Sequence, residues 1–147
     1  VVETPTHIAG VIEFASGALA TLITSWDVTD HRLPNIEIYG TQGTLAVPDP
    51  NDFGGPVLLR GRNDSDWRDM PLTHGYAENS RSLGVADMAT AIQKGRPHRA
   101  SGALAGHVLD VMLSLLESAK TGQRIKLTTT VERPAAMPPG LKDGEID

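Results

Sequence analysis

Alternation of apolar and polar side chains dominates the first half of the chain. The runs His7 to Phe14 and Ala18 to Trp26 flank Ser16-Gly17, and a glycine there supplies the positive φ that a short hairpin loop demands, so the two runs are predicted to pair antiparallel. Ile8, Gly10, Ile12 and Phe14 share one face and Ala9 and Val11 the other, while Leu22 and Trp26 oppose Leu19 and Ile23. Neither face is cleanly polar, which predicts a partner on both. A second hairpin joins Asn35 to Tyr39 with Thr44 to Val47 through Gly40-Thr41-Gln42-Gly43. The stretch from Pro48 to Pro56 is rich in proline and glycine and reads as a loop. Val57 to Arg60 and Trp67 to Leu72 are shorter strands on either side of the polar turn Gly61 to Asp66.

The period then changes. From Ser80 to Lys94, Leu83, Ala86, Ala89 and Ile92 recur every third residue, which predicts a helix packed along that side and stopped by Gly95 and Pro97. From Ser101, a good N-cap, to Thr121 the stripe Leu104, Val108, Val111, Leu115, Ala119 is widened by Leu109, Met112, Leu113 and Leu116, and predicts a largely buried helix. Gly122 stands where a C′ glycine is wanted, and Arg124 to Thr128 alternates enough for one more strand. Strands first and helices second argue for an α+β domain, a mostly antiparallel β-sheet with helices packed on one face and the other face open for association. We expect one domain over residues 1–133 and a Pro-rich tail over 134–147, lying on a surface or disordered.

Composition narrows the function classes. A formal charge of −5 gives no footprint for wrapping phosphates, so nucleic acid is not expected as a partner. The absence of cysteine excludes disulfides and thiolate metal sites. The longest apolar stretch, Val108 to Leu116, is interrupted by Asp110 and Ser114. It falls short of an uninterrupted span of about 18 to 20 apolar residues, so no membrane span is expected and a cytoplasmic location is the default. An opening on Val1 with no leader pattern suggests a piece of a longer chain.

Candidate chemistry is sparse. No G-x-G-x-x-G and no G-x-x-x-x-G-K-[ST] occurs, so the sequence encodes no dinucleotide or triphosphate cradle. His107, Asp110, Ser114 and Glu117 fall on one stripe of the long helix. They serve either proton transfer or a metal, or form the helix's wet seam with an ordinary His to Asp contact. No two of the five histidines fall at i, i+4 on a predicted helix, which disfavours zinc. Asn63-Asp64-Ser65-Asp66 lacks the glycine and glutamate of a calcium loop and reads as a solvated turn. Arg96-Pro97-His98-Arg99 either clamps an anion or complements the dipole of the preceding helix. Trp26, with Asp27, Asp30 and His31 after it, is built like the rim of a sugar site, or else packs under the sheet edge.

With those residues in place, the chain resembles the C-terminal domain of the family named after glucose-fructose oxidoreductase, inositol dehydrogenase and rhizopine catabolism proteins. The resemblance runs from His7 to Thr128. It rests on Gly17-Ala18-Leu19-Ala20, on Thr24-Ser25-Trp26, and on Glu37-Ile38-Tyr39-Gly40-Thr41-Gln42-Gly43-Thr44-Leu45 with Pro48-Asp49-Pro50. Further along it rests on Asp87-Met88-Ala89, on Gly95 through Gly102, on His107-Val108-Leu109-Asp110 and on Ser118-Ala119-Lys120-Thr121-Gly122.

The resemblance implies a parent enzyme with a Rossmann domain for NAD or NADP, acting on a sugar or polyol, to which this chain contributes part of the substrate pocket and a homodimer or higher homo-oligomer interface. It places the catalytic lysine and histidine in Glu-Lys-Pro and Asp-x-x-x-His motifs upstream. Asp27 and His31 are four apart but lie at a strand exit, so no catalytic role is carried over to them. The candidate substrate-binding residues are Trp26 and His31, with His74 and Tyr76 beside them. No catalytic, cofactor or metal residue is assigned, and the chain alone is not expected to transfer hydride. The alternative is a non-catalytic binding or assembly module using the open sheet face. A hydrolase built on His107 and Asp110 lacks an accompanying nucleophile or oxyanion motif.

Overall fold

The computed structural model describes residues 2–78 and 80–147. The fold is α+β, with two antiparallel sheets and two helices: β1 His7–Glu13, β2 Leu19–Ser25, β3 Ile36–Gly40, β4 Gly43–Val47, β5 Val57–Gly61, β6 Arg68–Met70, α1 Leu83–Lys94 and α2 Gly102–Thr121. The strands make a hairpin of β1 and β2 and a separate meander β3-β4-β5-β6, not one sheet. Between Ser25 and Ile36 the chain carries Asp27, Asp30 and Pro34 and forms no ladder. The residues up to His31 together with Gly102–Glu132 form one compact unit, and Arg32–Ser101 with Arg133–Asp147 form a second.

In the first unit the hairpin closes where the glycine predicts. Gly17 has φ 87°, its N–H donates to Phe14 O at 2.9 Å, and the Phe14 N–H donates to Ala18 O at 2.9 Å. The register, from His7 opposite Ser25 to Glu13 opposite Leu19, puts Ile8, Gly10, Ile12, Ala20 and Leu22 on one face, all half-buried. α2 lies on that side against β1. A Cβ on Gly10 would come within 2.7 Å of Leu115 Cδ2, so the missing side chain makes room for the helix. The other face leaves Val11 68%, Leu19 70% and Ile23 56% exposed.

α2 corrects two expectations. It ends as predicted, with Gly122 at φ 67° and its N–H on Ser118 O at 2.8 Å, but it contains no buried residue. Its half-buried positions are Leu104, His107, Asp110, Val111, Ser114, Leu115 and Ser118, whereas Val108, Leu109, Met112, Leu113 and Leu116 are exposed. The presumed wet seam is thus the covered side, with Glu117 alone of its four residues exposed. The physical reason is that polar partners wait there: Thr129 meets both His107 and Asp110. Arg124 to Thr128 is not a strand. The segment is tied through side chains instead, by Arg124 Nη2 to Glu13 Oε2 at 3.0 Å and by Thr129. By length and composition alone, α2 would suffice to cross a bilayer.

In the second unit the loop between β3 and β4 is two residues long, with Gly40 opposite Gly43. Gly43 is obligatory, because a Cβ there would collide with the Arg60 carbonyl on β5. The turn between β5 and β6 is closed by Asp64, whose Oδ2 accepts the Gly61 N–H at 2.9 Å. α1 stops at Gly95, φ 65°, where the Arg96 N–H reaches Ala91 O at 3.0 Å, the signature of a Schellman-type end. Its covered side carries Leu83, Asp87, Thr90 and Ala91, not the predicted stripe, for Ala86, Ala89 and Ile92 are exposed. Ala91 and Asp87 are the two buried residues among those described. α1 does not pack on a strand; its covered side is held by charge, as described next.

Candidate functional site

The exit of β2 is pinned by Thr6. Its carbonyl accepts the Trp26 N–H at 2.7 Å, and its hydroxyl donates to Asp27 Oδ2. With the backbone fixed on both sides, the indole of Trp26 projects outward and is 89% exposed, so it does not pack under the sheet edge. Five residues on, the His31 N–H donates to Asp30 Oδ1 at 2.8 Å. An exposed aromatic face held on a rigid strand end, followed by carboxylates and an imidazole, can stack on and hydrogen-bond a polyhydroxylated ligand.

His74 and Tyr76 belong to the second unit, whereas Trp26 and His31 belong to the first. His74 Nδ1 lies 2.9 Å from the Thr73 hydroxyl. Tyr76 has φ 63°, a left-handed conformation uncommon for an aromatic residue. Its hydroxyl donates to Glu145 O at 2.7 Å and Lys142 O at 3.3 Å, which ties the loop before α1 to the 133–147 segment. Between them lies an open cleft of about 310 Å³, lined by Tyr76, Ser82, Leu83 and Ala86 on one side and by Gly144 and Ile146 on the other.

One residue along from the cleft residues Ala86 and Ile146 stand Asp87 and Asp147, part of a charge network that the sequence reading missed. Asp87, 3% exposed, receives Arg96 Nη2 at 2.7 Å and Arg99 Nη1 at 2.5 Å on Oδ1, and the Arg99 backbone N–H at 2.8 Å on Oδ2. Burial by itself would raise the carboxyl, but the Arg99 amide and the two guanidinium groups outweigh it and hold Asp87 at about 2. Arg99 Nη2 also donates to Asp147 Oδ2 at 2.8 Å, and its Nε to Ala135 O at 2.8 Å. Asp147 is likewise held below the usual carboxylate range, by Arg99 first. Arg96 and Arg99 do clamp an anion, then, and it is the chain's own. The signal available in the sequence was Asp87, set at i+4 from Leu83 and i−4 from Ala91 on a helix face that is otherwise apolar or neutral.

In the first unit His107 Nδ1 lies 2.8 Å from Thr129 Oγ1, and that hydroxyl donates to Asp110 Oδ2 at 2.6 Å. Because the hydroxyl proton points at the carboxylate, Nδ1 is the donor to Thr129. The trio forms a relay-like chain with neither a third metal ligand nor a nucleophile beside it. Among the described residues, no group of three His, Cys, Asp or Glu side chains is placed to hold a metal.

No curated protein and no solved structure matches the chain. Residues 1–46 match a family model; this stretch holds β1, β2, β3 and β4 up to Ala46, the part of the chain with the two glycine-closed hairpins. The family that the chain resembles, and that its first 46 residues match, is the GFO/IDH/MocA C-terminal domain.

Proposed function

We propose that this chain is the substrate-binding and oligomerisation domain of an NAD(P)-dependent oxidoreductase that acts on a hydroxyl or carbonyl of a sugar, polyol or related small molecule. The family match over the two hairpins supports this reading most directly. In it, NAD or NADP supplies the hydride chemistry on a Rossmann domain of the parent enzyme, and the residues of this chain bind and orient substrate. Within the first unit Trp26 provides a stacking face and His31 a polar contact. Two measurements test it. Calorimetric titration of the chain with NADH or NADPH is expected to show no binding, because the sequence holds no Gly-rich turn to cradle a pyrophosphate; a micromolar Kd for either would overturn it. In the intact enzyme, Trp26→Ala and His31→Ala are expected to raise KM for the polyol at least tenfold, and an unchanged KM would remove both residues from the pocket.

A second reading, a non-catalytic assembly module, is favoured by the exposed apolar residues Val11, Leu19 and Ile23 on a single sheet face. Homo-oligomerisation through that face belongs to both readings, and unaltered turnover in the Trp26 and His31 variants would decide for the second. We place the protein in the cytoplasm, with neither membrane nor nucleic acid as partner. α2 reads as a domain helix because His107 and Asp110 on it are bonded to Thr129 within the same unit.

A further inference from the structure

Two guanidinium groups converge on one buried carboxylate, which leaves one positive charge unneutralised. Asp87 takes one donor group from each arginine side chain and the Arg99 amide, so it fixes where both forks point. Arg96 Nη1 donates to Pro97 O at 2.9 Å, and the other remaining donors face the 133–147 segment. Arg96 Nε and Nη2 donate to Asp147 O at 3.1 and 2.6 Å, and Arg99 Nη2 donates to Asp147 Oδ2 at 2.8 Å. The second oxygen of that carboxylate, Oδ1, is buried and has no hydrogen-bond partner; its nearest cation, Arg96 Nη2, is 3.8 Å away. Asp147 therefore meets the Arg96 fork with its main-chain oxygen and Arg99 with one carboxylate oxygen, but leaves the other carboxylate oxygen dehydrated with no donor in return.

We propose that Arg96 and Arg99, oriented by Asp87, form an oxyanion-binding notch that Asp147 occupies as an internal ligand, and that a small molecule bearing a phosphate or carboxylate displaces it. An untethered oxyanion can turn both its acceptors onto the guanidinium forks, which a side chain anchored in the segment does not manage. Displacement also moves what the segment carries. Gly144 and Ile146 form one wall of the cleft beside Tyr76, so the notch and the cleft open together. An anionic group in the notch then sits where Asp147 does, one residue along the chain from the Ile146 that lines the cleft. Such a ligand has an anionic head and a compact apolar body.

The test uses the whole chain labelled with ¹⁵N, with inorganic phosphate and acetate as probes against chloride at matched ionic strength. Neither substrate nor nucleotide enters it, so its outcome is independent of the function proposed above. The Arg96 Nε–H resonance is expected to shift on titration, with a Kd at least tenfold lower in Asp147→Asn, where the side chain of the internal competitor has lost its charge. Amide exchange over residues 140–147 is expected to rise in Asp147→Asn without any anion, and in the unsubstituted chain when the preferred anion is added. Tighter phosphate binding identifies a phosphorylated ligand and tighter acetate binding a carboxylated one. Equal affinity in the two proteins, or an Arg96 signal that neither anion moves, would overturn the proposal. Should Asp147→Asn perturb the fold, Asp147→Glu keeps the charge at a different reach, and an affinity for the probes unchanged from the original chain would count equally against it.

Discussion

The two compact units solve the same problem of a small core by opposite means. The first unit lays α2 over β1 with Leu115 above Gly10 and ties its edges with exposed or half-buried polar contacts such as Thr129 with His107 and Asp110, and it contains no buried residue among those described. The second unit holds both buried residues, and one of them is a carboxylate gripped by two arginines. Ionic networks are a poor source of net stability but a good source of a unique arrangement. The second unit is thus specified by charge, whereas the first leaves apolar faces on its hairpin and on α2. A surface of that kind is stabilised when covered. The difference teaches where each proposal is to be probed: the proposed association on the first unit, the proposed anion notch on the second.

Removing the charge network makes the largest difference. Asp87→Ala leaves two partly buried guanidinium groups without their central acceptor, and breaking a buried pair from one side costs about 3 to 5 kcal/mol. The two tryptophans, Trp26 and Trp67, fall one in each unit, so Trp→Phe variants separate their fluorescence. Urea titration of Asp87→Ala is expected to lower the midpoint reported by Trp67. A Trp67 midpoint unchanged by this substitution would show that the network does not hold the unit together.

Acid should act on the same unit by the same route, with a smaller effect. Asp87 is held at about 2 in the folded chain, from an ordinary value of 3.8, so its contribution is complete above pH 4 and is lost as pH falls through about 2. The shift corresponds to roughly 2 kcal/mol. Asp147, also lowered, adds to the loss in the same direction. Denaturation midpoints for Trp67 between pH 5 and pH 2 should fall across that window, and Asp87→Asn should flatten the dependence.

The hairpins were legible in the sequence because glycine marked their turns. Ser16-Gly17 and the pair Gly40 and Gly43 set both the loops and the registers, and β1 to β4 lie within a residue or two of their predicted bounds. Helix existence and ends were legible for the same reason, through Gly95 and Gly122. Helix orientation was not. A 3.6-residue period reveals which side chains share a stripe but not which stripe is covered, and in both helices the covered stripe includes polar residues met by partners outside the helix: Thr129 for His107 and Asp110, Arg96 and Arg99 for Asp87. Of the candidate site, Trp26 is exposed at its strand end and Tyr76 lines the cleft, and the tie from Tyr76 to Lys142 and Glu145 spans more than sixty residues and leaves no local signal.

Gly10→Val probes the first unit in the corresponding way. The added Cβ would meet Leu115 Cδ2 at 2.7 Å, the far end of a flexible side chain, so alanine is tolerated by a small rotation whereas the branched valine pushes α2 away from β1. Overpacking of this kind costs about 1 to 3 kcal/mol. The Trp26 midpoint and the exchange protection of α2 amides should both drop, with the Trp67 midpoint held. A loss shared equally by both tryptophans would break the distinction between the units.

Ile23→Lys should have the smallest effect on the stability of either unit and the clearest effect on association. Ile23 pairs with Ala9 and stands on the open face of the hairpin, 56% exposed, so a lysine there meets water and the hairpin keeps its register; exposed substitutions of this sort usually change stability by less than about 0.5 kcal/mol. If two copies join through this face around a two-fold axis, each residue near the axis meets its own symmetry mate, and the substitution brings two ammonium groups together in a site that has lost its water. Unpaired buried charges cost several kcal/mol, more than enough to dissociate a dimer of moderate affinity at tens of micromolar. Light scattering should therefore find the unsubstituted chain dimeric or larger and Ile23→Lys monomeric, with circular dichroism the same for both. A substituted chain that stays associated would move the interface to the exposed face of α2, where Met112→Lys is the equivalent probe; an unsubstituted chain that is monomeric would mean that the apolar surface of the first unit is covered by something other than a second copy.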